Sequence, residues 1–193
     1  MVFLLITACT TTDMPLADNV LFQDKNQRAD EILKLNDWTI KGKIAFISPD
    51  EKQSANIYWQ QKDADITLKL TTFLGVSVLS LTSSNSIYTL KSDGKTWHDD
   101  NIENLLRQVS GIQLPVQALS FWIKGLKASN DDVINYSSTT DLPEQLQAYV
   151  NDKYWHIDYK KYQLIDNYRL AKSLTIKQNK LTIKLLINTW DLH

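Results

Sequence analysis

Over most of this chain apolar and polar residues alternate one by one, and a period of two builds pleated strands with one wet face rather than a helical bundle. Ile40, Gly42, Ile44 and Phe46 share a face, with Lys41 and Lys43 between them. Ala55, Ile57 and Trp59 follow, then Ile66, Leu68 and Leu70 alternating with Thr67 and Lys69. Segments 76–82 and 87–91 continue the meander. Asp63-Ala64 and residues 72–75 fall where hairpin turns belong, and Asp93-Gly94 is a strong turn signal. Five or six antiparallel strands therefore come in sequence.

The period then changes. After Asp99-Asp100, placed to cap a helix, Ile102, Leu105, Leu106 and Val109 recur at helical spacing, and Gly111 is the expected terminator. Leu114-Pro115 opens a second helix with the apolar stripe Leu119, Trp122 and Ile123 before Gly125. A third helix is expected over 30–35. The polar run 130–144 reads as a loop. Strands return in Trp155, Ile157 and Tyr159, in Leu174 and Ile176, and in Leu181, Ile183, Leu185 and Ile187, the last two groups forming a hairpin around Asn179. The predicted fold is mainly β (α+β): a curved antiparallel sheet whose concave side is covered by helices.

Catalytic chemistry finds no foothold in the residues. His98, His156 and His193 are widely spaced and form no metal-binding pair, so no metal is expected. There is no nucleophile elbow and no Gly-rich phosphate loop. Asp99-Asp100 and Asp131-Asp132 are sequence neighbours, which rarely face one site, and capping or a solvated loop accounts for them. With no basic stripe and a net charge of −1, nucleic acid is not an expected partner. Six Trp, eight Tyr and five Phe either fill a core or line an apolar cavity beneath the helices, and periodicity does not choose between these readings.

The single cysteine addresses the N-terminus. Cys9 ends an apolar run beginning at Val2, and Ile6-Thr7-Ala8-Cys9 has the lipobox order of large aliphatic, small, small, Cys. A thiol there would take a diacylglycerol before cleavage frees its amine. None of the eight residues before it is Lys or Arg, so residues 1–8 read as a shortened lipoprotein signal peptide. That run is far below the about 20 residues a spanning helix needs, so attachment is expected through lipid. Residues 9–27 read as lipidated N-terminus and polar tether, and 28–193 as one domain.

The order of several local motifs resembles the LolB family of outer-membrane lipoprotein receptors. They are Trp38 with the Gly42 strand, Trp59-Gln60-Gln61, Leu70-Thr71 leading into Leu74-Gly75, Asp93-Gly94, Gly111, Leu114-Pro115-Val116, Leu119, Trp122-Ile123-Lys124-Gly125-Leu126 and the terminal Asn188-Thr189-Trp190. The resemblance implies an open antiparallel half-barrel of about eleven strands with a lid of three helices. It also implies a receptor, monomeric and without cofactor, that takes lipoproteins from the periplasmic carrier LolA. The receptor holds their acyl chains in a hydrophobic cavity and releases them into outer-membrane lipid. Under this resemblance Ile44, Phe46, Trp59, Leu68, Leu105, Leu119 and Trp122 are candidate cavity walls, each with plain core as its competing role. Phe73-Leu74-Gly75 is the candidate membrane-insertion loop, with Phe73 where relatives usually carry Pro. Thr10, which is not Asp, agrees with an outer-membrane address, lipid-anchored and facing the periplasm. Lys124 and Lys127 are candidates for docking to the carrier. A lipid-sensing or scaffold lipoprotein of the same fold, which binds acyl groups without passing them on, is the principal alternative, and a periplasmic hydrolase a second.

Overall fold

The computed structural model describes residues 24–193. Cys9, the signal and most of the tether lie outside them. One antiparallel sheet of eleven strands carries the fold. β1 (Asp37–Ile47), β2 (Lys52–Lys62), β3 (Asp65–Thr71), β4 (Ser77–Ser84), β5 (Ile87–Ser92) and β6 (Lys95–Asp99) form one meander. β7 (Val133–Tyr136), β8 (Pro143–Val150), β9 (Lys153–Ile165), β10 (Tyr168–Gln178) and β11 (Leu181–Leu192) form another. The strand order β6-β5-β4-β3-β2-β1-β11-β10-β9-β8-β7 joins the meanders at β1 and β11 and leaves β6 and β7 as the two edges. Chain connecting β6 to β7 must therefore run from one edge to the other, and it carries two of the helices, α2 (Ile102–Ser110) and α3 (Val116–Trp122). α1 (Lys25–Leu33) precedes the sheet.

Local chemistry explains most of these boundaries. Asp93 (φ 48°) and Gly94 (φ 73°) both adopt the left-handed backbone that tight hairpins require. α2 ends at Gly111, φ 70°, which donates its N–H to the Arg107 carbonyl at 2.9 Å. At the other end of α2 the cap is Asn101, whose Oδ1 accepts from the Glu103 and Asn104 amides at 3.0 Å. The aspartates expected to cap it do not: Asp99 closes β6 and instead accepts from the Asn101 amide at 2.8 Å. Gly42 answers to close approach. A Cβ there would lie 2.0 Å from the Leu186 carbonyl oxygen, where the β1–β11 register slips by one residue.

Two other expectations change. The first helix begins at Lys25 rather than 30, so residues 25–27 are helical instead of tether; Arg28 and Ile32 give it a buried side that three exposed polar neighbours obscure. The polar run 130–144 contains β7, which among the described residues is an edge strand paired with β8 alone. Its alternation is faint because an edge strand buries little, and its pairing comes from residues 143–147 on the next strand rather than from its own pattern.

Trp38, Trp122 and Trp155 are the largest fully buried side chains. Trp38 packs against Trp59 at 5.4 Å and Trp190 at 5.6 Å, and Trp122 against Trp155 at 6.0 Å, in tilted geometries that aromatic quadrupoles favour.

Candidate functional site

Between the sheet and the α2–α3 segment lies a cavity of about 250 Å³. β1 contributes Ile44 and Phe46, β2 Ile57 and Trp59, and β3 Leu68 and Leu70. Each pair is two residues apart, as one face of a strand demands. Antiparallel register brings the pairs together: Ile44 lies opposite Leu185, Phe46 opposite Ile183, and Trp59 opposite Leu68. From above, Leu106 and Val109 of α2 and Leu119 of α3 close the space. Its polar lining is confined to Ser48, Glu51, Gln53, Ser92 and Ser110. Among the described lining residues Glu51 is the one carboxylate, placed in the exposed β1–β2 turn, so the depth of the chamber is apolar.

Five of the seven candidate wall residues, Ile44, Phe46, Trp59, Leu68 and Leu119, line this space, and Leu105 and Trp122 do not. Leu105 is fully buried beside Leu106 on α2, and helix neighbours point about 100° apart, so Leu106 takes the cavity side. Trp122 is held away by its indole N–H, which donates to Asp132 Oδ2 at 3.0 Å. The same carboxylate accepts from the Ala128 amide at 2.8 Å, so this side chain is a structural pin. Leu70, Ile183, Leu185 and Val109 were missed. Alternation from Leu68 would have found Leu70; the β11 pair needed the β1–β11 register, which no local pattern encodes.

Where the cavity opens follows from the strand directions. Ser48 and Glu51 belong to the β1–β2 turn, Ser92 ends β5, and Leu181 opens β11, all at one rim of the sheet. The β3–β4 turn, residues 72–76, lies on the same rim. Within it Phe73 is 90% exposed and Leu74 85%, with Val76 also exposed. The turn backbone is nonetheless fixed. The Thr72 amide donates to the Val76 carbonyl at 2.8 Å, the Gly75 amide (φ 82°) to the Thr72 carbonyl at 3.0 Å, and Asn56 Nδ2 to that carbonyl at 3.1 Å. Bare apolar side chains on a braced turn are uncommon at a water-facing surface, where large adjacent hydrophobics mark contact sites.

The opposite end is held by cations. Arg28 of α1, 4% exposed, donates to the Lys124 and Arg169 carbonyls, each at 3.0 Å, and burial lowers its pKa against the raising influence of Tyr162, Tyr159 and Tyr136. Lys124, 6% exposed, donates from Nζ to the Leu35 carbonyl at 3.1 Å and faces the rings of Trp38 and Phe121 at 5.9 and 5.6 Å. Burial lowers its pKa to about 8. Burying an ammonium costs several kcal/mol, of which desolvated cation–π contact returns about 2. Lys124 is therefore not the surface docking residue that its helix-end position suggested, whereas Lys127 is exposed. His156 bonds to Asp158, which also takes Lys177 at 3.0 Å, and this group sits on strands β9 and β10 away from the cavity lining.

Comparison with known proteins agrees with this architecture. A LolA superfamily protein from Nitrosomonas europaea superposes with a TM-score of 0.56 over 88% of this chain and 92% of that one, at 9% identity. A DUF1329 family protein from Desulfovibrio piger gives 0.57 over 87% and 90%, at 8% identity. In sequence, the Outer-membrane lipoprotein LolB of Aeromonas salmonicida is 36% identical over 190 residues, 98% of this chain and 92% of that protein. That of Shewanella baltica is 37% identical over 154 residues, 80% and 72% of the respective lengths. The family model for outer membrane lipoprotein LolB matches residues 36–190. The chain therefore belongs to the LolB family.

Proposed function

We propose that this protein is an outer-membrane lipoprotein receptor. It accepts lipoproteins from the periplasmic carrier LolA, holds their acyl chains in the cavity and inserts them into the outer membrane. The observation that carries this reading is the apolar cavity opening on the same rim as the bare Phe73-Leu74 turn. Water-exposed acyl chains cost about 0.8 kcal/mol per methylene, so a triacylated client crosses the periplasm only by passing between apolar sites. This chain carries no nucleotide-binding motif, and transfer runs downhill from a weaker hydrocarbon site to a stronger one and then to the bilayer. A cavity of about 250 Å³ is below the about 300–1,000 Å³ of ordinary ligand pockets, so loading requires the lid to yield. In this reading Cys9 is lipidated and anchors a monomer facing the periplasm, and Leu74 with Phe73 wedges among headgroups to give acyl chains a way out.

The test uses the full chain carrying Cys9→Ala, mixed with LolA loaded with a labelled lipoprotein and then with liposomes. Label passing to this protein and on to liposomes is the expected result. Label remaining on LolA removes the receptor reading and leaves an acyl-binding sensor or scaffold as the better account.

A further inference from the structure

A second cavity, of about 510 Å³, occupies the other end of the half-barrel, and acyl transfer at the first rim makes no use of it. Its walls come from the α1–β1 link and the β2–β3 turn, which lie at the rim opposite Phe73-Leu74. Trp38, Ile66, Val116 and Phe121 supply apolar surface, and Asn36, Gln61, Gln117 and Ser120 supply amides and a hydroxyl. Of all these groups only Val116 also lines the first cavity. The tilted pair Trp38 and Trp59, 5.4 Å apart, stands as a partition, one ring to each side.

Lys124 is in the wall of this second space. Its ammonium has three N–H groups and one hydrogen-bonded acceptor, the Leu35 carbonyl, and no carboxylate of the described residues comes within 4.0 Å of it. Asp63 is the one carboxylate in the lining and sits on an exposed turn, beyond ion-pair reach. Arg28, donating to the Lys124 carbonyl at 3.0 Å, adds a second buried positive charge that likewise has no carboxylate within reach. The combination is an aromatic and aliphatic pocket of ligand size with a cation in its wall that no described carboxylate pairs. A neutral alkyl ligand leaves that charge unmatched, and a cationic one is repelled.

We propose that this second cavity binds a single-chain amphiphile with an anionic head, the head meeting Lys124 Nζ and the chain lying on Trp38, Ile66 and Phe121. A fatty carboxylate and the phosphate of a single-chain lipid share this chemistry. Calorimetric titration of the full chain carrying Cys9→Ala with dodecanoate, dodecyl phosphate and dodecyl maltoside, each below its micellar concentration, tests the site. Both or either of the anions should bind at least tenfold more tightly than the maltoside, and the tighter one names the head. Lys124→Met should weaken the anions at least tenfold while leaving maltoside binding as it was, which also reports an intact fold. Lys124→Arg should retain anion binding. A bulky Leu68→Trp in the first cavity should remove only the alkyl binding common to all three probes. Failure of the acyl-cavity reading would appear separately, as wild-type titrations lacking that common phase but keeping the Lys124-dependent one. Undiminished anion binding in Lys124→Met, or loss of all anion binding in Leu68→Trp, overturns the proposal.

Discussion

The two rims of this half-barrel solve opposite problems. At one, large apolar side chains stand in water on a turn braced by hydrogen bonds at Thr72, Gly75 and Val76; at the other, two cations are buried on backbone carbonyls and aromatic faces. An exposed leucine contributes little to folding, and a buried cation costs folding free energy, so neither arrangement is what stability alone would select. Under the proposed function, the difference places stability and delivery in separable parts of the molecule. Changes at the Phe73-Leu74 rim should alter transfer with folding untouched, and changes at the Arg28-Lys124 end should do the reverse.

The sharpest break is Leu74→Glu. Delivery to liposomes should fall at least a hundredfold while acceptance from LolA persists and urea stability stays within about 0.5 kcal/mol, as surface substitutions usually do. Equal loss of acceptance and delivery would erase the distinction. Next comes Arg28→Met, which removes two charge-assisted hydrogen bonds, to the Lys124 and Arg169 carbonyls. Each such bond contributes about 1.5–3 kcal/mol, so a loss of about 3 kcal/mol is expected by denaturant unfolding, with exchange protection falling first in α1.

A smaller effect separates the two buried cations from each other. Burial holds the Lys124 pKa at about 8 against 10.5, so between those values the folded chain sheds a proton that the unfolded chain keeps. Wild-type stability should therefore rise with pH in that window relative to Lys124→Met, by up to about 1.4 kcal/mol per unit. The variant should be more stable by about 1–2 kcal/mol at pH 7, where the penalty of burying the charge is fully present, and its advantage should narrow towards pH 10. Contributions from all other groups are common to both chains and cancel in the difference. Smallest of all, Phe73→Pro restores the constraint usual in relatives at the cost of an aromatic wedge, and delivery should change by about twofold or less with stability unmoved.

How far this division could be read from sequence differs by region. Alternation over 37–71 and the Asp93-Gly94 turn announced the meander, since strands and tight turns are local. β7 did not show itself, because Val133 and Asn135 face water and the strand exists only through its pairing with β8. Among the wall candidates, Leu105 and Trp122 share a helical stripe with true lining residues, and only tertiary contacts sort them: Asp132 claims Trp122, and Leu106 takes the inward side of α2. Lys124 misled for a related reason. A lysine after a helix is ordinarily solvated, and what buries this one is the α1–β1 link, nearly ninety positions earlier. The exposure of Phe73 and Leu74 was not legible locally, since nothing in an isolated Phe-Leu-Gly says that it faces water, and their candidate role in insertion rests on the family resemblance.

The pairing of β1 with β11 also bears on how such a chain is made. The first of the described strands to be made lies at the centre of the sheet, and its second neighbour is the last of the described strands. Until synthesis and export reach residue 192, the N-terminal meander waits with a hydrogen-bonding edge open along β1, and β10 waits likewise. Contacts this distant in sequence close slowly, and unsatisfied edges recruit other chains. Keeping the nascent protein apart from its copies during secretion is thus as much a requirement of this topology as any contact in the finished sheet, and a truncation of the final dozen residues should aggregate rather than fold around a gap.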